Sequence, residues 1–224
     1  MAAHDNCSFD EIKEILVSQW GGVNRYNPQT LNLLESCLNA QLDENEYDLE
    51  VNLTILKLYQ LNGNLYNKEV ASRILLKCLM ALPKPDIILA KSLIDQVHMS
   101  EDPVKLVLEL SDLLEGCNFG KVWELLNTHK NLIDGIEGFV ESIRDFICHV
   151  INITYQNISF QMLKLLLGGL SDEEVLQICL VQNWQVAKNG DMVHVYNHEA
   201  TVKSRNIEEK IDFSNVQDIL RSVA

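Results

Sequence analysis

A chain of 224 residues with 47% hydrophobic and 22% charged residues has the composition of a soluble globular protein, long enough for one large domain or two small ones. Its 32 acidic residues against 18 Lys and Arg give a net charge of -14, which repels phosphate and argues against generic nucleic-acid or membrane-surface binding. The longest stretch free of Lys, Arg, Asp and Glu, residues 146–163, contains His149, Asn152, Thr154, Tyr155 and Gln156, too polar for a bilayer.

No signal peptide is expected, because Asp5, Asp10, Glu11, Lys13 and Glu14 are mixed into an amphipathic pattern near the start. The cysteines, at 7, 37, 78, 117, 148 and 179, form no Cys-x-x-Cys pair and have no His at zinc-finger spacing. They read as small apolar residues in a reducing compartment.

In chain order, Ser8-Phe9-Asp10-Glu11 reads as a capping box opening a helix with Ile12, Ile15, Leu16 and Trp20 on one side, ended by Gly21-Gly22. Asn27-Pro28 caps a second helix, whose buried side carries Leu31, Leu34, Cys37, Leu38 and Gln41. The third, about Asp48 to Leu61, has apolar residues at 49, 53, 56 and at 51, 55, 58. Two adjoining faces are thus apolar, so this helix is expected to be central and covered on more than one side, with Leu49, Leu53, Leu56 and Tyr59 in the core.

A fourth helix follows from Lys68 to Leu82, stopped by Pro83 and Pro85, then a fifth from Asp86 to Val97. Asp102-Pro103 starts a sixth that ends at Gly116, and a shorter one spans Asn118 to Asn127. Helices joined by short Pro, Gly and Asn turns suggest antiparallel pairs, compatible with a degenerate helical-repeat array.

Gly135 and Gly138 mark a plausible boundary. Beyond it, Phe139 to Tyr155 is a long amphipathic helix with Phe146 and Thr154 among its inward residues. Ser159 caps a short helix to Leu167, and Ser171-Asp172-Glu173-Glu174 caps another to about Gln182. Trp184 to Ala187 and Met192 to Asn197 flank Asn189-Gly190, a preferred hairpin turn, with Trp184 a core anchor. Three helices followed by a two-stranded wing is the order of a winged helix. A last helix opens at Phe213-Ser214-Asn215-Val216-Gln217. The expected units are therefore 1–135, a helical domain; 139–205, the winged helix; and 206–224, a connector and helix.

A winged helix suggests nucleic acid, but its recognition helix, Asp172 to Gln182, holds three acids and no Lys or Arg. Groove reading needs cations on phosphates and Arg, Lys, Asn or Gln at base edges. Residues 139–224 carry 7 basic against 11 acidic residues, a net of -4. The charge pattern favours a protein-docking module over a DNA reader.

For chemistry, there is no Gly-rich phosphate loop, no Gly-x-Ser-x-Gly and no His-Glu-x-x-His. Asp95 and His98 could be helical neighbours, but no nucleophile accompanies them. Cys148 and His149 point about 100° apart on a helix, and His194 and His198 lie at a strand end. No enzyme, metal or cofactor is expected. The terminal stripe of Ile207, Ile211, Phe213, Val216, Ile219 and Leu220 either folds back on the wing or faces a partner, since a terminal amphipathic helix is a ready association surface.

Several stretches, collinear over about residues 25–213, resemble a known family. They are Arg25-Tyr26-Asn27-Pro28, Glu44-Asn45-Glu46-Tyr47-Asp48-Leu49, Leu56-Lys57-Leu58-Tyr59-Gln60-Leu61-Asn62 and Leu113-Leu114-Glu115-Gly116-Cys117-Asn118-Phe119. Further along come Phe146-Ile147-Cys148-His149-Val150, Thr154-Tyr155-Gln156-Asn157-Ile158, Leu170-Ser171-Asp172 and Asn206-Ile207-Glu208-Glu209-Lys210-Ile211-Asp212-Phe213. Together they are similar to subunit k of eukaryotic translation initiation factor 3.

The resemblance implies a mainly α fold: a HEAT-like helical-repeat domain, then a PCI-like winged helix with a β-hairpin and a C-terminal helix. It implies a non-catalytic scaffold subunit next to subunit l, reaching the small ribosomal subunit through the complex. The location it implies is cytoplasmic, with a nuclear pool possible, and it carries no direct DNA or membrane binding. The alternatives are a scaffold subunit of a related proteasome-lid or COP9-signalosome-like complex, or a winged-helix nucleic-acid binder. From this reading, Ile207, Ile211, Phe213, Val216, Ile219 and Leu220 are the expected partner contacts.

Overall fold

The computed structural model describes residues 8–19, 25–187 and 190–195, with Val216 and Leu220 beyond them. Its first half is a series of helices: α1 (Phe9–Gln19), α2 (Leu31–Asp43), α3 (Leu49–Leu61), α4 (Lys68–Met80), α5 (Asp86–Leu93), α6 (Val104–Glu115) and α7 (Phe119–Thr128). Local chemistry sets their starts. Asn27 accepts from the Gln29 amide at 3.0 Å ahead of a 3₁₀ turn leading into α2, and the Asp48 carboxylate accepts from the amides of Glu50 and Val51. Asn67 does the same at α4 through Glu69. Each cap satisfies amides that have no partner within the helix.

Sequential neighbours pack together: α1 on α2, α2 on α3, α4 on α5, α6 on α7. The hub, however, is α4, which touches α3, α5, α6 and also α8. Its small residues Ala71, Ser72 and Cys78 are buried beside Ile74, Leu75, Leu76 and Leu79, and small side chains let several helices approach closely. The expectation of α3 as a central helix covered on more than one side holds, since α2, α4 and α5 pack round it, but α4 shares that role. Leu56 and Tyr59 of α3 are buried as anticipated, but Leu49 and Leu53 are only half-buried, packed against the edge of the core.

The fifth helix is shorter than its sequence pattern predicts. It stops at Leu93, and the chain reaches α6 through a 3₁₀ turn at His98–Ser100. Asp95 and His98 therefore do not share a helix face. The His98 ring lies 3.7 Å from Tyr66 in a stack and faces the Glu101 carboxylate at 3.0 Å.

The second half comprises α8 (Phe139–Thr154), β1 (Asn157–Ser159), α9 (Phe160–Leu166), α10 (Asp172–Val181), β2 (Gln185–Val186) and β3 (Met192–His194). The sheet order is β1-β3-β2, antiparallel throughout. Ile158 pairs with Val193 and both are buried, so one face of this small sheet closes over the helices. The order helix, strand, helix, helix, hairpin, with the first strand added to the wing, is that of a winged helix. The strand β1 went unanticipated in the sequence.

Phe146 and Trp184 are buried as expected. Thr154 is not: it is exposed, and its hydroxyl donates back to the Val150 carbonyl at 2.7 Å. Apolar residues of both halves form one continuous core, because α8 packs on α4 and α9 on α7.

Two close approaches bind the halves. Gly138, at φ +73°, sits where an added Cβ would lie 2.9 Å from the Asn45 amide. Gly168, at φ +92°, leaves room for the Trp123 indole, whose N–H donates to the Leu166 carbonyl at 2.8 Å.

Candidate protein-docking face

The α10 helix is fixed by a complete capping box. The Ser171 hydroxyl accepts from the Glu174 amide, and the Glu174 carboxylate accepts from the Ser171 amide at 2.9 Å. These hydrogen bonds from Ser171 hold the Glu174 carboxyl below its usual range. At the other end, the Trp184 indole donates to Asn152 of α8 at 2.7 Å, and Asn152 in turn donates to Gln182 at 3.2 Å. Both ends of α10 are thereby located against their neighbours.

Beyond its acidic first turn and Gln177, what α10 turns outward is apolar. Only Val175 and Cys179, one helical turn apart, are buried; Leu176 is 43% exposed, Leu180 77% and Val181 78%. Ile153, near the end of α8, is 60% exposed, and Met162 and Leu165 project from α9. Scattered exposed leucines carry no message, but Leu176 and Leu180, four residues apart, lie next to each other on one side of this capped, positioned helix.

Between α8 and α10 lies an open groove of about 310 Å³ with Cys148, Leu170, Ile178 and Val181 along it. Its margins bear Glu141, Asp145 and Glu174. Arg144, also at the groove, acts on Glu174 by its charge, while its guanidinium lies 5.6 Å from the Trp123 ring centroid and its Nε donates to the Leu167 carbonyl.

Two other depressions have mixed polar and apolar linings and offer no convergent chemistry. One, of about 510 Å³, lies between α1 and α2 and is lined by Asn27, Gln29, Thr30 and Asn32. The second, of about 530 Å³, is edged by Glu69, Asn127, His129 and Lys130.

Shifted ionisable groups lie mainly within the packing. Burial pushes the thiol of Cys37 up to about 11 and those of Cys78 and Cys148 up to about 12. Burial likewise raises Tyr47 and Tyr59, which donate to Asp86 at 2.9 Å and Glu35 at 2.6 Å. Buried Lys77 is lowered by desolvation, its Nζ 3.4 Å from the Asn45 side-chain oxygen. No group of three or more His, Cys, Asp and Glu able to hold a metal occurs among the described residues.

Of the expected partner contacts, Val216 and Leu220 are helical and exposed, while Ile207, Ile211, Phe213 and Ile219 lie outside the described residues. So do His198, Cys7, Trp20 and the Gly21-Gly22 stop. His194 is on β3, its ring hydrogen-bonded to the Asn157 side chain. Cys117 is the exposed thiol among the described cysteines, the rest being buried.

The sequence reading missed the outward apolar side of α10. Six apolar residues in a ten-residue helix hint at it, but the sheet and α9 decide which two are covered.

This architecture and this face define a mainly helical interaction subunit that contains a winged helix, with an acid-margined apolar helix where a nucleic-acid reader would carry cations. The family model described as CSN8/PSMD8/EIF3K matches residues 65–204. Curated relatives named "Eukaryotic translation initiation factor 3 subunit K" match nearly end to end. The protein from Xenopus tropicalis is 44% identical over 215 residues, 96% of this chain and 98% of that one. The Danio rerio protein is 43% identical, with 95% and 97% covered, and the human protein 41%, with 96% and 98% covered. The chain belongs to the CSN8/PSMD8/EIF3K family, on its translation initiation factor 3 subunit K branch.

Proposed function

We propose that the chain is a non-catalytic scaffold subunit of eukaryotic translation initiation factor 3, acting in the cytoplasm and holding neighbouring subunits together. Subunit l is the neighbour, and the small ribosomal subunit is reached through the assembled complex. The working parts are the helical array of residues 1–135, the winged helix of 139–205 and the terminal segment 206–224. In this reading Ile207, Ile211, Phe213, Val216, Ile219 and Leu220 supply a subunit contact.

The observation that carries the reading is the character of α10. Leu180 and Val181 stand largely in solvent, and Val181 shares a groove with the carboxylates of Glu141, Asp145 and Glu174, which suits a polypeptide partner and disfavours a phosphate backbone.

The test is co-purification of the tagged chain with the other subunits, wild type against a variant with Ile211, Val216 and Leu220 all replaced by Asp. The wild type is expected to bring the subunits down and the folded variant to lose them. Undiminished assembly of the folded variant removes the terminal segment as a contact, and a wild-type chain that recovers no subunits overturns the scaffold reading.

A further inference from the structure

We infer that the α8–α10 groove is a receptor for one amphipathic helix from a partner protein, apolar along one stripe and flanked by Lys or Arg. This rests on the scaffold reading above and names the chemistry of one of its partners. The groove floor is Cys148, Leu170 and Ile178, with Val181 standing at its lip. Its volume of about 310 Å³ equals that of roughly ten waters, enough for a few aliphatic side chains and too little for a folded domain's edge. A groove walled by residues of two helices, α8 and α10, is the kind of channel into which a third helix sets its i, i+3, i+4 and i+7 residues.

Charge decides what flanks that stripe. Glu141 and Asp145 stand one turn apart on α8, both exposed, and among the described residues neither makes an ion pair. Glu174 adds a third carboxylate from the α10 side. Arg144 keeps its charge at the groove and adds to the Ser171 hydrogen bonds in lowering the Glu174 carboxyl. Its guanidinium lies against the Trp123 ring, however, its Nε donates to the Leu167 carbonyl, and it makes no ion pair with Glu141 or Asp145. Three carboxylates therefore face one cation there. Like charges held one turn apart are mildly unfavourable on an isolated helix, and a cationic flank would relieve that repulsion while steering the approach. An acidic partner helix would be turned away by the same margin.

The experiment uses the full chain and two labelled helical peptides of identical apolar stripe, one with Lys on its flanks and the other with Glu. Binding is read by fluorescence anisotropy. The Lys peptide is expected to bind at least tenfold more tightly than the Glu peptide. Val181→Asp should weaken the Lys peptide at least tenfold with the far-ultraviolet dichroism and melting curve unchanged.

The double reversal Glu141→Lys, Asp145→Lys should invert the preference. The equal change in net charge at Glu109→Lys, Glu124→Lys, on α6 and α7, should leave it standing. Equal affinity for both peptides, no binding of either, or the same response from both double reversals overturns the proposal. So does a chain cut after residue 195 that binds the Lys peptide far more tightly than the full chain, since the protein's own terminal segment would then be the occupant. A chain that co-purifies with the other subunits yet ignores the peptide sinks the groove alone, whereas a chain that fails to co-purify sinks the scaffold reading.

Discussion

Gly168→Ala is the sharpest test of how the helical array is joined to the winged helix. At φ +92° a side chain of L configuration is strained by roughly 1–2 kcal/mol. The added Cβ would also lie 2.9 Å from the Trp123 indole, closer than any relaxed contact. That ring cannot swing aside freely, because its N–H is tied to the Leu166 carbonyl and its face is covered by Arg144. Overpacking of this kind costs typically about 1–3 kcal/mol. The total is about 3 kcal/mol, which for a chain of this size lowers Tm by about 6–12 °C. The assay is thermal unfolding followed by circular dichroism, repeated in a Trp123→Ala background. There the steric part disappears and only the conformational part, about 1–2 kcal/mol, should remain. A fall in Tm under about 2 °C, or the same cost in both backgrounds, refutes the idea that the indole wall sets the price of a side chain here.

Two further outcomes follow from buried polar groups. Gln41 and Asn52 are both fully buried and exchange two hydrogen bonds, at 3.3 and 3.2 Å, while the Gln41 oxygen also accepts from the Asp48 amide. Asn52→Ala should leave the Gln41 side-chain nitrogen without its acceptor, while the oxygen keeps the Asp48 amide, and cost about 1–3 kcal/mol in urea unfolding, against well under 1 kcal/mol if water fills the gap. The raised thiols of Cys37, Cys78 and Cys148 and the phenol of Tyr66, also pushed to about 12 by burial, set the alkaline limit. A group raised in the folded state stabilises fully below its unfolded pKa and loses that contribution as pH climbs through the folded one. Stability should therefore decline from about pH 9 upward, with lowered Lys77 opposing the trend in part; a urea midpoint that holds level between pH 8 and 10.5 would contradict this.

Helix starts were legible because a cap is a local object: Asn27, Asp48, Ser159 and Ser171 each act on amides two or three residues ahead. What escaped the sequence depended on distant neighbours. The strand β1 has three residues and one inward side chain, Ile158, too short for an alternation to register. The central role of α4 rests on its small residues and on Lys77, whose long stem is buried where a pattern of charges would place it in water. The outward side of α10 was likewise hidden. Val175 and Cys179 look no more apolar in sequence than Leu180 and Val181, and only packing against β2 and α9 separates the covered pair from the bare one.

The same distinction between local and distant causes bears on function. Shifted ionisable groups gather at catalytic sites when a cleft presents them to substrate. In this chain, desolvation between packed helices holds Tyr47, Tyr59, Cys78 and Cys148 in their neutral forms, and nearby donors are already engaged with acceptors of the fold. Tyr47 is spent on Asp86 and Tyr59 on Glu35. Glu141 and Asp145, by contrast, are exposed beside uncovered aliphatic side chains. In the reading proposed above, these carboxylates and the exposed Val181 beside them are met by a partner that supplies both a cation and an apolar stripe.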